Sequence, residues 1–547
     1  MALGVLESKT DPKPPGTEYL VDTAQTSAGH ELEHTNFKHG KGKKTDIILV
    51  PQPSNDPNDP LLWPTWKREV AFAFLFFNCI IFAACPGPMV APATIGLALQ
   101  LHVEVKKIAL LSGYQLLVVG ALGPIVSVLA QKYGKRPQFV FASIFGVIGT
   151  GICIAGFDQP SLPKSYDVLL AGRLVQGLGT TAYESLSVAA IGDMFFLHER
   201  GLRTALLVLT TACLASFVAI CAGTIFENLG ARNLFVILLP IQAFGMLGNL
   251  LFMPETQFKR PIAVAGVASS EEIQEKQGGN STTEEAPSNS SSTVPKRSFV
   301  GDMRIFSGVY STNNMFKLLA EIFIHLFNPA IVWVMLVSAI LVSCFVGVSY
   351  TLAQIFTPPP YGLTVAQNGY FFTGALVGGI LGISAGPLCD FIARTFARRN
   401  KGIYEAEFRI PVCIFAVILF AVGWFTFSWA LSHPQYNHVY LCSFCYGAVS
   451  FGTSVASTSA GLYILDAFKK YSTEIFILQM MIKNFLFYAF STFVNDWAAE
   501  KGPANMTRTF GIVTICGFTT CIPMYVFGKR NRVWVHKMWT RYLGEKE

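Results

Sequence analysis

Leu116-Leu117-Val118-Val119-Gly120-Ala121-Leu122-Gly123-Pro124-Ile125-Val126-Ser127-Val128-Leu129-Ala130 runs directly into Gln131-Lys132-Tyr133-Gly134-Lys135-Arg136-Pro137, and this stretch decides the fold. From position 109 to 130 there is no Asp, Glu, Lys or Arg. A helix rises 1.5 Å per residue, so about 20 apolar residues cross roughly 30 Å of hydrocarbon. The burst of positive charge that follows marks a short loop on the cytoplasmic side of a membrane.

The rest of the chain repeats this alternation. Of its 547 residues 52% are hydrophobic and 14% charged, against about 25% charged in a soluble domain. The net charge of +7 sits in short runs beside apolar segments, as in Arg398-Arg399-Asn400-Lys401. No basic patch interleaved with aromatics lies in a polar region, so nucleic acid is not an expected partner. The expected partners are the lipid bilayer, a small-molecule substrate and protons, and the chain is expected to be monomeric. The 12 cysteines fall in or at the edge of apolar runs and read as small packing residues. No phosphate-cradling loop and no His pair with metal spacing is present, so neither an enzyme nor a cofactor nor a metal is expected.

Twelve apolar runs follow a polar start. They lie near 69–92, 109–130, 138–157, 167–192, 204–227 and 233–253, then 327–354, 367–389, 409–430, 438–463, 473–497 and 507–528. The pattern predicts an all-α membrane protein of two six-helix halves with both termini in the cytoplasm. Residues 1–66 read as a disordered tail without a cleavable leader, so the first run is expected to act as the anchor. The halves are 67–253 and 321–528. They are joined by a low-complexity linker, 254–320, and followed by a tail, 529–547. Orientation rests on charge. Six of the 41 Lys and Arg fall in external loops, two (Arg173 and Lys483) fall inside spans, and the remaining 33 lie on the cytoplasmic side. An internal repeat supports the division. The basic loop Gln131–Arg136 after the second run has a counterpart after the eighth, at Gly386-Pro387-Leu388-Cys389-Asp390 with Arg394, Arg398 and Arg399.

Five stretches in this order resemble the major facilitator superfamily, in its fungal drug:proton-antiporter-like branch. Asp56-Pro57-Asn58-Asp59-Pro60-Leu61-Leu62-Trp63-Pro64 resembles its pre-helix signature. Gln131–Arg136 resembles the loop between spans 2 and 3, and Gly172-Arg173-Leu174-Val175-Gln176-Gly177-Leu178-Gly179 the fourth-span motif. Asp193 to Gly201 resembles the loop beyond it, and Asn400 to Arg409 a stretch of the fungal branch. The resemblance implies secondary transport by alternating access in a plasma membrane or, alternatively, a vacuolar or other internal membrane. Proton-coupled efflux of a drug, toxin or metabolite is one expectation, and uptake of polyamines, cations or another nutrient the other. A membrane sensor that transports nothing is a third. Two departures keep the direction open. Gln131 stands where the family carries Asp, and the fifth span lacks the antiporter Gly-Pro pair.

A charge at the bilayer centre costs about 2.5–3.5 kcal/mol or more, so intramembrane charges are the first functional candidates. Arg173 and Glu184 share the fourth span. Eleven residues apart, they lie on one helix face about 16 Å from each other, so they do not pair directly. Glu184 is the candidate for a proton or a cationic group, against the plainer reading of a glutamate hydrogen-bonded at a helix interface. Arg173 is the matching arginine of the family, or an interhelical anchor to carbonyls. Lys483 lies too deep in the eleventh span to snorkel easily and needs a partner, Glu184 or Asp466. The resemblance places spans 1, 4, 7 and 10 around the cavity, where Asn78, Gln176, Tyr350 and Tyr446 are candidate substrate contacts. Gln131, Lys135, Arg136, Asp193, Glu199, Arg200 and Asp390 are candidates for a cytoplasmic latch that breaks when the cavity opens inward.

Overall fold

The computed structural model describes residues 5–6, 17–19, 54, 56–157, 165–196, 203, 206–207, 213–258, 298–400, 403–436, 438–468 and 471–543. Among them, ten helices are long and apolar enough to cross a membrane. Two more complete the predicted set. Ser165–Met194, the fourth span, has the length but carries Asp167, Arg173, Glu184 and Asp193, which lower its hydropathy. Ala215–Leu229 is a shorter apolar helix in the place of the fifth span.

Close approach of backbones organises each half. Spans 3 and 4 meet through glycines. A Cβ on Gly179 would stand 2.5 Å from the Cα of Gly146, so the two helices touch along their main chains. In the second half, spans 8, 9 and 12 gather round span 10 and its neighbours, with Trp424, Phe420 and Tyr446 fully buried in one apolar core. Spans 2 and 11 join the halves. Gly113 lies against Ser491, and Gly120 against Asn484 and Phe485.

The first span differs from the expected 69–92. It runs from Thr65 to Leu101 in pieces, because Pro86, Pro88 and Pro92 interrupt it. An α-helix, Thr65–Asn78, passes into a π-helical turn, Cys79–Ala84, then a 3-10 stretch, Pro88–Ala93, and a last α-helical piece, Thr94–Leu101. In the π turn Cys85 N bonds the Ile80 carbonyl at 2.9 Å. The next step would bring an N–H from residue 86 to Ile81, and proline has none. Other spans supply the missing donors. Gln242 Nε2 reaches the Ile81 carbonyl at 3.2 Å and Thr180 Oγ1 the Phe82 carbonyl at 2.7 Å. This is how a broken helix survives in lipid.

Three further expectations are corrected. The basic segment after span 8 is helical, not a loop. Ala385–Arg399 continues the span, because Pro387 falls in its first turn, where no intrahelical N–H is required. The segment from 529 is not a free tail either. Cys521–Leu543 is one helix, and Lys529 and Arg532 are buried. Within residues 1–66, a strand β1, Thr17–Tyr19, pairs antiparallel with β2, Ile403–Glu405. Val5 is fully buried beside Ala393, Ala397 and Phe408.

Candidate functional site

Glu184 and Lys483 meet across the two halves. Lys483 Nζ is 2.5 Å from Glu184 Oε1, and Asn484 Nδ2 is 3.4 Å from Glu184 Oε2. The side chains are 15% exposed for Glu184 and 28% for Lys483, so the pair is largely but not wholly shielded from solvent. Span 4 presents the carboxylate and span 11 the ammonium. Of the two partners open to Lys483, the structure forms the one with Glu184. Asp466 is taken by Arg409 Nε at 2.8 Å and by the Tyr404 hydroxyl. Buried carboxamide oxygens lie along the same helix. Neither Asn484 Oδ1 nor Gln479 Oε1 has a hydrogen-bond partner among the described residues.

Arg173 does not share that site. It is fully buried inside the first half, where acceptors are concentrated. Its Nη1 lies 2.6 Å from the Pro86 carbonyl, 3.2 Å from Gln115 Oε1 and 3.1 Å from Gln176 Oε1. Its charge also lies 5.1 Å from the centroid of the Phe235 ring. The network continues outward. Gln176 Nε2 donates to Thr150 Oγ1 at 2.8 Å, and that hydroxyl donates to Gln242 Oε1 at 2.5 Å. Arg173 and Gln176 therefore brace the break in span 1. Replacing Arg173 by Ala is expected to leave three buried acceptors without their donor, each worth about 1–3 kcal/mol. The thermal unfolding midpoint in detergent should fall sharply, and Arg173→Lys should recover only part, since an ammonium is more strongly hydrated than a guanidinium and costs more to bury. An unchanged midpoint for Arg173→Ala would remove the bracing role.

The other predicted contacts lie within single halves. Asn78 is fully buried, with Gly245 of span 6 beside its Oδ1. Tyr446 stacks on Phe345 at 4.6 Å and donates to its carbonyl at 3.2 Å. Tyr350 is buried on span 7.

On the outer side the two halves touch at three places. Ala366 N donates to Glu227 Oε2 at 2.7 Å, and Lys106 pairs with Asp496 at 2.6 Å. Gly223 and Gly369 touch backbone to backbone between spans 5 and 8. Each contact joins one half to the other. On the cytoplasmic side Lys135, Asp193 and Asp390 pair inside their own half. Lys135 bonds Asp193, and Asp390 bonds Arg409. Arg136 donates to the Leu250 carbonyl at 2.8 Å, the Met303 carbonyl at 2.9 Å and the Met253 carbonyl. Glu255 accepts from the backbone N–H of Lys135 and Arg136 at 3.0 and 3.1 Å, an anion at the start of span 3. Burial raises its carboxyl pKa, while those N–H groups oppose the shift. Gln131 is half-buried and makes no side-chain hydrogen bond among the described residues. Glu199 and Arg200 lie outside the described residues.

The sequence profile of the Major Facilitator Superfamily matches residues 71–492, more than three quarters of the chain. The chain belongs to the major facilitator superfamily. As a member, it is a multi-pass membrane transporter and not an enzyme. It is 23% identical to an uncharacterized MFS-type transporter of Schizosaccharomyces pombe, over 97% of this chain and 94% of that one. It is 22% identical to Protein HOL1 of Saccharomyces cerevisiae, over 95% and 96%. A probable drug/proton antiporter of the same yeast is 22% identical, over 84% and 86%. The crystal structure of the human organic anion transporter MFSD10 superposes with a TM-score of 0.50 at 14% identity, covering 84% of this chain and all of that one, a likeness of fold alone.

Sequence reasoning missed Asn484, Gln115, Thr150, Thr180 and Gln242. Each is a polar residue inside an apolar run, and that pattern was the available signal. What no pattern supplied was the partner, because the carbonyls of Ile81, Phe82 and Pro86 are among the acceptors.

Proposed function

We propose that this transporter moves a small organic molecule by alternating access, driven by protons, with Glu184 as the exchanging acid. The pair between Glu184 and Lys483 carries the reading. Protonating Glu184 removes the charge that holds Lys483 and releases a contact between spans 4 and 11. Deprotonation restores it. The halves are 67–253 and 321–528, and they rock about the contacts of spans 2 with 11 and 5 with 8. The contacts between the halves at the outer end and the self-paired residues Lys135, Asp193 and Asp390 fit a latch released in the inward-facing state. His325 stands near the inner mouth at the start of span 7, and burial pushes its pKa down to about 4. It is therefore neutral near pH 7.

Efflux of a drug, toxin or secondary metabolite from a plasma membrane is the direction proposed. The probable drug/proton antiporter among the relatives supports it, as does a probable efflux pump of Aspergillus flavus that is 23% identical over 75% of this chain. A second reading is uptake of a cationic nutrient. It is favoured by the unpartnered oxygens of Asn484 and Gln479 on the helix that carries Lys483, since acceptors suit an ammonium.

The test is flux in proteoliposomes under an imposed pH gradient of each sign. Export predicts substrate movement against the proton flow, and uptake predicts movement with it. Glu184→Gln is expected to abolish gradient-driven movement while leaving the protein folded. Full pH-dependent transport by a folded Glu184→Gln variant would end the proton role of this residue.

A further inference from the structure

We propose that the cytoplasmic face of the second half is a peptide-docking surface whose resident is the chain's own N-terminal segment, and that this segment stays docked through the transport cycle. Two separate anchors carry the proposal. In the first, Val5 is fully buried beside Ala393, Ala397 and Phe408, and Leu6 N donates to the Val526 carbonyl at 3.0 Å. In the second, β1 pairs with β2 in the register Thr17 with Glu405 and Tyr19 with Ile403. The Thr17 hydroxyl donates to Glu405 Oε2 at 2.7 Å. Both anchors lie on the second half, although the segment precedes the first.

The surface is built for an extended peptide. The β2 edge offers unpaired backbone groups, which main-chain pairing satisfies. Beneath it lies a buried charge cluster. Glu405 Oε1 binds Lys529 at 2.6 Å, and Arg532 Nη2 lies 2.8 Å from Glu405 Oε2 and 2.6 Å from Glu407 Oε2. Among the described residues the cluster pairs two carboxylates with two cations. Its remaining need is a neutral donor over Glu405 and a cover for the strand edge. Thr17 and β1 supply both.

Length decides whether docking is permanent. Positions 20–53 separate β1 from Ser54, where the described chain resumes beside the first half. These 34 residues have an extended reach of roughly 110 Å at about 3.3 Å each. That is more than twice the roughly 40–45 Å thickness of a bilayer with its headgroups. The connection never pulls the segment off. Persistence through the cycle rests on the alternating-access reading. Docking itself does not.

The test uses the full chain. Amide exchange at Tyr404, which faces Glu18 in the ladder, is expected to quicken by at least roughly ten-fold when residues 2–20 are deleted. It is expected to slow again on adding a synthetic peptide of residues 1–20. Unchanged exchange on deletion would overturn the docking. A Tyr19→Cys, Ile403→Cys pair, opposite each other in the ladder, is then oxidised to a cross-link. Transport within about two-fold of the reduced protein is expected. Loss of transport that a reductant restores would show that the segment must leave, and would overturn persistence. An unmodified chain that transports nothing would refute the proposed function and persistence with it, while the exchange result still decides the docking.

Discussion

Lys483→Met is expected to damage this protein more than Lys483→Met combined with Glu184→Gln. The single change leaves a carboxylate in a largely shielded position with, among the described residues, only Asn484, at 3.4 Å, to receive it. Breaking a fully buried pair costs about 3–5 kcal/mol. With 15% and 28% of the two side chains exposed, solvent takes up part of that loss, and a coupling of about 1–3 kcal/mol is the reasonable range. At about 1.4 kcal/mol per factor of ten, the pair is visible in an equilibrium unfolding or thermal inactivation assay. The double variant removes both charges and keeps their shapes, so its stability should lie above the sum of the two losses.

Transport separates a structural pair from a working one. The double variant regains stability but has no group left to exchange a proton at this site. Its gradient-driven flux should therefore remain at least about ten-fold below the unmodified protein, even where its unfolding midpoint recovers. Additive losses in stability would deny that the two residues interact. Recovery of both stability and gradient-driven flux in the double variant would leave the pair a purely structural contact.

Much of this site was open to sequence reasoning, and the boundary is physical. Lys483 was conspicuous because a cation ten residues deep in an apolar helix must have a partner, and few carboxylates were in reach. The choice between Glu184 and Asp466 was not legible, since it depended on Arg409 claiming Asp466 first. Arg173 was equally conspicuous, but its main acceptor is the carbonyl of Pro86, and every residue carries a carbonyl. The twelve spans were legible from composition except at their ends. There the basic segment from Gly386 to Arg399 reads as a loop after the eighth run and is helical. The pairing of β1 with β2 joins positions 384 to 388 residues apart, Tyr19 with Ile403 and Thr17 with Glu405, and no local pattern specifies it.

A second large effect is expected at a residue with no polar role. Gly378→Ala should disrupt the second half, because a Cβ there would stand 2.0 Å from the carbonyl oxygen of Gly447 and 2.8 Å from its carbon. One turn earlier, a Cβ on Gly374 would meet the Ser443 carbonyl oxygen at 2.0 Å. Both obstacles are backbone, so no rotamer change relieves them, and spans 8 and 10 must separate by about 1 Å or more to restore an ordinary contact. That separation also stretches Ser443 Oγ to the Phe371 carbonyl, now 2.8 Å, and Ser450 Oγ to the Ala375 carbonyl, now 2.9 Å. Overpacking alone costs about 1–3 kcal/mol, and two strained hydrogen bonds add to it. The matched control is Gly386→Ala on the same span, where a Cβ meets nothing within 4 Å. Alanine there should be neutral or stabilise by up to about 1 kcal/mol through helix propensity. Thermal unfolding of the two variants in detergent separates contact from propensity. A Gly378→Ala protein as stable as the Gly386→Ala control would mean that spans 8 and 10 do not meet backbone to backbone.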